Sequence, residues 1–429
     1  GYDAKIILNE IKHQGNSVIH IARDDKRMRA MGDALKFFKP DLAVFEFPSW
    51  DCLPYDRVSP NLEISSARMG ILSKFAENIA KEYVVLTTLN AVLQKVPCSS
   101  VVKSYGFKAA VGRNINERNL REFLVRMGFT KSSTVREAGE YAIRGGIIDI
   151  FPPRYSNPVR LDLFGTILDG ARLFDPETQL TIKKLHEIEL APVSEVVLDE
   201  FSIRNFRQSY RAEFGSSLSN DPLYESVSAG RKYQGLEHWL PLFYEKLDTF
   251  FSYFPSATVT MYKNLETDLS SRCKLVADQY EARNFANDNK PTKDYAYKPL
   301  KPTALYLDEA DWVNLIKTRR TLIFDPLPQP LGPNIIDSGG RAGRNFAPER
   351  QSNNLNLFSS LADHLKTRLQ YGPVLIASYS EGSLERLSGL LTDEGLDRPV
   401  AVSNWSMVVS PVVHMSVWPL DQGFQTPEF

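Results

Sequence analysis

Cysteine is scarce: Cys52, Cys98 and Cys273 are the only three in 429 residues, far apart and without a CxxC pair. That argues against a disulfide scaffold and a zinc site, and a reducing cytoplasm fits best. An excess of one charge is also missing. Lys and Arg total 51 against 52 Asp and Glu, a net charge of -1, so no global polycation is there to coat nucleic acid. No apolar run is long enough to span a membrane. Neither a Gly-Lys dipeptide nor GxGxxG occurs, so the chain lacks the loop whose glycines bring backbone N–H groups up to phosphate. The six histidines show no HxH, HxxxH or HExxH spacing, and no GxSxG elbow is present. No catalytic residue, cofactor or metal is therefore assigned.

What is there is globular material, 43% hydrophobic and 24% charged. At roughly 150 residues per domain the length suggests several domains. Gly1 is not an initiator Met and the last residues stop without a closing helix, so the chain reads as a piece of a longer protein. Strands are expected at Ser17–Ala22, Leu42–Phe47 and Tyr83–Thr88, with helices at Lys26–Phe38, capped by Asp24-Asp25, and from Leu62 to Lys81. That alternation predicts a parallel α/β layer.

After Phe107 and a helix at Glu117–Met127, short β segments follow at Ile147–Phe151, Val159–Phe164, Ala171–Phe174 and Leu180–Leu190, an antiparallel insert. A helix at Ile203–Phe214 and a parallel strand at Thr258–Met261 resume the α/β pattern. Polar, proline-bearing breaks fall at 284–302 and 326–354, the second a flexible linker. A small α/β unit closes the chain: helices Leu355–Leu369 and Glu381–Leu391, strands at Pro373–Ala377, Val400–Val402 and Val412–Val417. The boundaries predicted are 1–106 and 193–325 for one split α/β domain, 107–192 for the insert, 326–344 for a linker and 345–429 for the last domain.

In a strand, residues two apart share a face. Val159, Leu161 and Leu163 therefore point to the core, and Arg160, Asp162 and Phe164 to solvent, with Arg144, just before the neighbouring strand, able to join them. Arg and aromatic side chains dominate interface energetics. The plainer alternative is that Arg160 pairs Asp162 or another surface acid and Phe164 closes the hairpin's second small core. The loop Phe47–Pro60, with Trp50 and Tyr55, reads as a ligand pocket or as a packed rigid loop. Arg68 either pairs Asp51 or Asp56 or is exposed. Leu305–Leu307 is a short strand candidate leading into Asp308-Glu309-Ala310-Asp311, which spells a helicase Mg²⁺ motif but lacks a P-loop partner and reads as a solvated acidic turn. His20 is expected as a core histidine and His238 in a packed segment.

Four ordered segments carry a family resemblance. Phe47–Pro60 (FPSWDCLPYDRVSP) resembles a segment of bacterial transcription-repair coupling factors (Mfd). Gly139–Pro152 (GEYAIRGGIIDIFP), Pro158–Gly165 (PVRLDLFG) with Phe174–Gln179 (FDPETQ), and Gly235–Phe243 (GLEHWLPLF) are similar to further segments, the insert ones shared with the repair protein UvrB. The resemblance implies a UvrB-like module: a degenerate helicase-type α/β domain split by an insert that docks UvrA. Motif against motif, it places the UvrA contacts at Arg144, Arg160 and Phe164. It also implies a non-catalytic recruiter in which the P-loop and the DNA-clamping hairpin of UvrB are lost. RNA polymerase and duplex-DNA binding, and the motor with its ATP and Mg²⁺, would lie outside this chain, and the C-terminal region would mask the docking face. The alternative is a nucleotide-dependent, UvrB-type DNA enzyme.

Overall fold

A computed structural model describes residues 1–77, 82–215, 221–288, 297–330, 332–351, 356–409 and 411–427. Helix α1 (Tyr2–Gln14) buries Ala4, Ile7 and Ile11 at helical spacing and stops at Gly15, whose φ of 63° lets its N–H close on the Ile11 carbonyl. Strand β1 (Val18–Ala22) follows, then α2 (Asp25–Phe38), whose N-cap Asp24 accepts from the Arg27 N–H. Strand β2 (Ala43–Phe47), helix α3 (Leu62–Phe75) and strand β3 (Tyr83–Thr88) complete this stretch. The helix predicted to reach Lys81 ends at Phe75, and residues 78–81 lie outside the described ones.

Strands β1 and β3 are buried on both faces, as continuous apolar runs in parallel sheets are. Alternation sorts them: Ile19, Ile21 and Val85 enter the core with α3, whereas Val18, Ala22, Val84 and Leu86 enter the one with α1 and α2.

The insert begins with β4 (Phe107–Ala110) and α4 (Glu117–Arg126). Its sheet holds β5 (Thr130–Lys131), β6 (Glu140–Arg144), β7 (Ile147–Ile150), β8 (Val159–Phe164), β9 (Ile167–Phe174) and β10 (Thr181–Leu185), in the order β10-β9-β8-β7-β6-β5. Pairing is antiparallel except between β5 and β6. Leu120 and Leu124 of α4 cover the inner face with Ile148, Ile150, Val159 and Leu161. The single segment expected at Leu180–Leu190 is two strands. β10 edges the sheet, and β11 (Glu187–Leu190) returns to pair with β4, so the insert opens and closes on one ladder.

Helix α5 (Glu200–Phe214) precedes β12 (Thr258–Tyr262), and the 24-residue α6 (Leu265–Asp288) occupies the start of the expected polar break, of which 289–296 lie outside the described residues. Leu305–Leu307 is no strand of the sheet: Pro302 starts a helical turn through Leu305, and Tyr306 makes only an isolated bridge to Gln94. After α7 (Glu309–Lys317), β13 (Thr321–Phe324) completes a five-stranded parallel sheet, β13-β12-β1-β3-β2.

The expected linker is tied at its end, since β14 (Arg341–Ala342) pairs with β18 (Phe424–Gln425). Between them, α8 (Leu357–Arg368) and α9 (Glu381–Asp393) flank a parallel sheet of β15 (Val374–Ser378), β16 (Val400–Ala401) and β17 (Val413–Val417), with β17 central. Leu355, where the first of these helices was expected to begin, lies outside the described residues. Trp418 stacks on Phe37 of α2 with centroids 4.7 Å apart, joining this unit to the body.

Candidate protein-docking site

The β7–β8 and β8–β9 pairings set the outer face of the insert. Arg160 lies opposite Asp149 on β7 and Arg172 on β9, and Asp162 opposite Ile147 and Gly170. Gly145, at φ 60°, makes the β6–β7 turn, and a Cβ on Gly146 would meet the Leu163 carbonyl oxygen at 2.7 Å. That turn brings Arg144 onto the same face. Arg144, Arg160 and Phe164 therefore share one side of the sheet, while Val159 and Leu161 are buried on the other.

Their environments differ. Arg160 Nε donates to Asp149 Oδ1 at 2.6 Å and Nη2 to Oδ2 at 2.9 Å, a bidentate fork. Nη2 also donates to Gln179 Oε1 at 3.0 Å, and the guanidinium lies 4.4 Å over the Phe174 ring. The side chain is 18% exposed, and its bonds to Asp149 raise the guanidinium pKa further. Arg144 donates to the Ser133 carbonyl, stands 3.9 Å from Asp149 and is 52% exposed. Phe164 is 80% exposed. The second small core does exist, but Phe174 closes it with Val135 and Ala142, not Phe164. Arg160 pairs Asp149, and Asp162 pairs Arg172 instead. A half-free guanidinium, a fixed one and a bare ring suit recognition of another protein.

The other candidates resolve into structure. Trp50 Nε1 donates to Glu195 Oε2 at 2.8 Å, the Tyr55 hydroxyl to the Leu300 carbonyl and the Ser59 hydroxyl to Glu237, so the Phe47–Pro60 loop is packed and rigid. Arg68 is neither exposed nor paired with Asp51 or Asp56. It is fully buried, gripping Glu195 through Nε (3.0 Å) and Nη2 (2.9 Å), donating to the Pro48 carbonyl and lying 4.3 Å over Phe47. Glu195 lies just past the closing strand β11, so this pair clamps the insert to α3.

Asp308 caps α7 by accepting from the Asp311 N–H. The cavity beside it holds about 60 Å³, against roughly 300 Å³ or more for a small-molecule site. Cys52 Sγ lies 4.0 Å from His238 Nε2, but burial pushes the thiol up to about 12 and the imidazole down to about 4, the reverse of an activated pair. His20 is buried, with Nδ1 2.9 Å from Thr260 Oγ1. Among the described residues no group of three or more His, Cys, Asp or Glu could hold a metal, and no helix is long and apolar enough to cross a membrane.

Asp149, Gln179 and Phe174 escape the sequence reading. The outward parity of Asp149 is readable from the alternation of Ile148 and Ile150, but its register against Arg160 is not.

Comparison with known proteins adds a class. Residues 107–196 match the UvrB interaction domain family. The fold and this match define a parallel α/β body carrying a protein-interaction domain as an insert. Over nearly its whole length the chain is similar to transcription-repair-coupling factors. It is 25% identical over 419 residues to that of Rickettsia bellii (98% of this chain, 36% of that protein). The figures are 28% over 436 residues for Haemophilus influenzae (99% and 36%) and 28% over 394 for Escherichia coli K12 (90% and 33%). The chain thus spans about a third of the length of these relatives and is similar to the N-terminal region of transcription-repair-coupling factors.

Proposed function

We propose that this chain is the recruiting part of a transcription-repair-coupling factor. It docks UvrA through Arg144, Arg160 and Phe164, bringing nucleotide excision repair to a stalled RNA polymerase in the cytoplasm. The observation that carries this reading is the placement of all three on one outer face of the domain that matches the UvrB interaction family. The ATP- and Mg²⁺-dependent motor, and the grip on RNA polymerase and duplex DNA, lie in the rest of the protein. The C-terminal region there covers the docking face until it is needed.

The body reads as a degenerate helicase-type, UvrB-like domain made of 1–106 and 193–325, split by the insert 107–192 and joined through 326–344 to the unit 345–429. The strand order, with β1 central and followed directly by a helix, supports that ancestry. In the turn after β1, where such a domain would cradle phosphate, Asp24 and Asp25 stand instead, and the Asp24 carboxylate occupies the helix N-terminus. This weighs against the nucleotide-dependent enzyme.

Titrating UvrA with the Arg144→Gln/Phe164→Ala chain tests the reading, since both side chains are exposed and neither holds a buried partner as Arg160 holds Asp149. Binding should be lost while Leu161 in the insert core keeps its hydrogen-exchange protection; parental affinity would refute it.

A further inference from the structure

The end of the β8–β9 hairpin and the adjoining start of β7 also carry two isoleucines, Ile167 and Ile147, that the interior does not use. Ile147 is 38% exposed and Ile167 43%. Ile167 lies directly opposite Phe164, while Ile147 lies opposite Asp162, two residues before Phe164 on the same face. Opposed Cβ atoms stand about 5 Å apart and diagonal ones about 7 Å, so the three side chains make one contiguous apolar strip. The backbone beneath is fixed. Gly165 turns the hairpin at φ 61°, and the Leu163 N–H donates to the Gly146 carbonyl at 2.7 Å. Isolated exposed apolar residues are ordinary, but a contiguous set on a rigid hairpin end marks an interaction site.

Charge around the strip is uneven. Asp149 is paired by Arg160 and Asp162 by Arg172, so both acids are already neutralised on this face. Of the cations on this face, Arg144 is half exposed and Lys184, opposite Arg172, is exposed. We infer that the docking face fits a protein surface with an apolar socket, filled by Phe164, Ile147 and Ile167, and a carboxylate on its rim facing Arg144. The inference rests on the docking function proposed above and deepens it. Ile147 and Ile167 become specificity-determining residues, and Arg160, engaged by Asp149 and Gln179, becomes chiefly a positioning residue.

The full chain carrying Ile147→Thr and Ile167→Thr, which keep the β-branch and its strand preference, is titrated with UvrA beside Phe164→Ala and Arg144→Gln. The threonine pair should weaken binding about tenfold or more, the scale of interface hot spots, with parental salt dependence and melting temperature. Arg144→Gln should weaken binding and flatten its salt dependence. If Phe164→Ala weakens binding and the threonine pair binds like the parent, the apolar strip is refuted and docking stands. If neither changes affinity, docking itself fails and takes the strip with it.

Discussion

Replacing Arg68 by alanine should loosen the insert from the body more than any surface change. The guanidinium is fully buried and makes two bonds to Glu195, one to the Pro48 carbonyl and a ring contact with Phe47. Its removal leaves the Glu195 carboxylate, equally buried, with Trp50 Nε1 as its remaining side-chain donor. Breaking one side of a buried pair costs about 3–5 kcal/mol.

Several cores unfold in this chain, so the melting temperature does not report this one junction by itself. Hydrogen exchange reports the junction directly. The Val197 N–H donates to the Tyr244 hydroxyl, which donates to the Glu195 carbonyl. At about 1.4 kcal/mol per tenfold, Val197 should exchange on the order of 10²–10³ times faster in Arg68→Ala. Leu161, deep in the insert's own core, should keep its protection, and UvrA affinity should hold. Unchanged exchange at Val197 would show that Arg68 does not clamp the insert.

Gly70 faces the insert from α3, and a Cβ there would lie 2.3 Å from the Pro153 carbonyl oxygen. Gly70→Ala should cost about 1–3 kcal/mol by overpacking, read as a lower urea midpoint; an unchanged midpoint would mean that the contact yields freely. His20 is held down to about 4 by burial between Tyr262 and Phe324, against an ordinary 6.5. The unfolded chain therefore binds the proton first, so the His20 contribution is intact above pH 6.5 and is lost as pH falls from 6.5 towards 4, at up to about 1.4 kcal/mol per pH unit. His20→Gln should flatten the stability profile in that window, and a superimposable profile would rule the histidine out. Arg160→Met leaves buried Asp149 with only the distant Arg144. It should lower insert stability by about 1–3 kcal/mol, and adding Asp149→Leu should restore most of that in thermal melts; no recovery would count against the pairing.

The parallel sheet is legible in the sequence because its central strands are buried on both faces and read as unbroken apolar runs. Less of the second half is legible. Helix α6 distributes its apolar residues around its circumference, so no one-sided periodicity announces it, and β13 is a four-residue edge strand. The Leu305–Leu307 run looks like a strand, yet Pro302 in the first helical turn turns the chain before it. At the outer face of the insert, alternation alone separates Arg160 and Phe164 from the core. It cannot say which acid meets Arg160, because Asp149 and Asp162 share the outward parity and only the register distinguishes them. Arg68 is harder still: its partner lies 127 residues away, across the whole insert.

The clamp and the ion pairs bear on affinity through order. Immobilising a long side chain on binding costs about 0.5–1.5 kcal/mol, and Arg has among the most rotamers to lose. Arg160 loses little, since Asp149, Gln179 and Phe174 already hold its guanidinium. Phe164 has only two torsions to settle. Arg144 is tied by one bond to Ser133 and leaves half its surface in water. Docking would therefore order chiefly one arginine, so a near-neutral chain can bind specifically through a small, pre-arranged patch where local charge rather than net charge faces the partner.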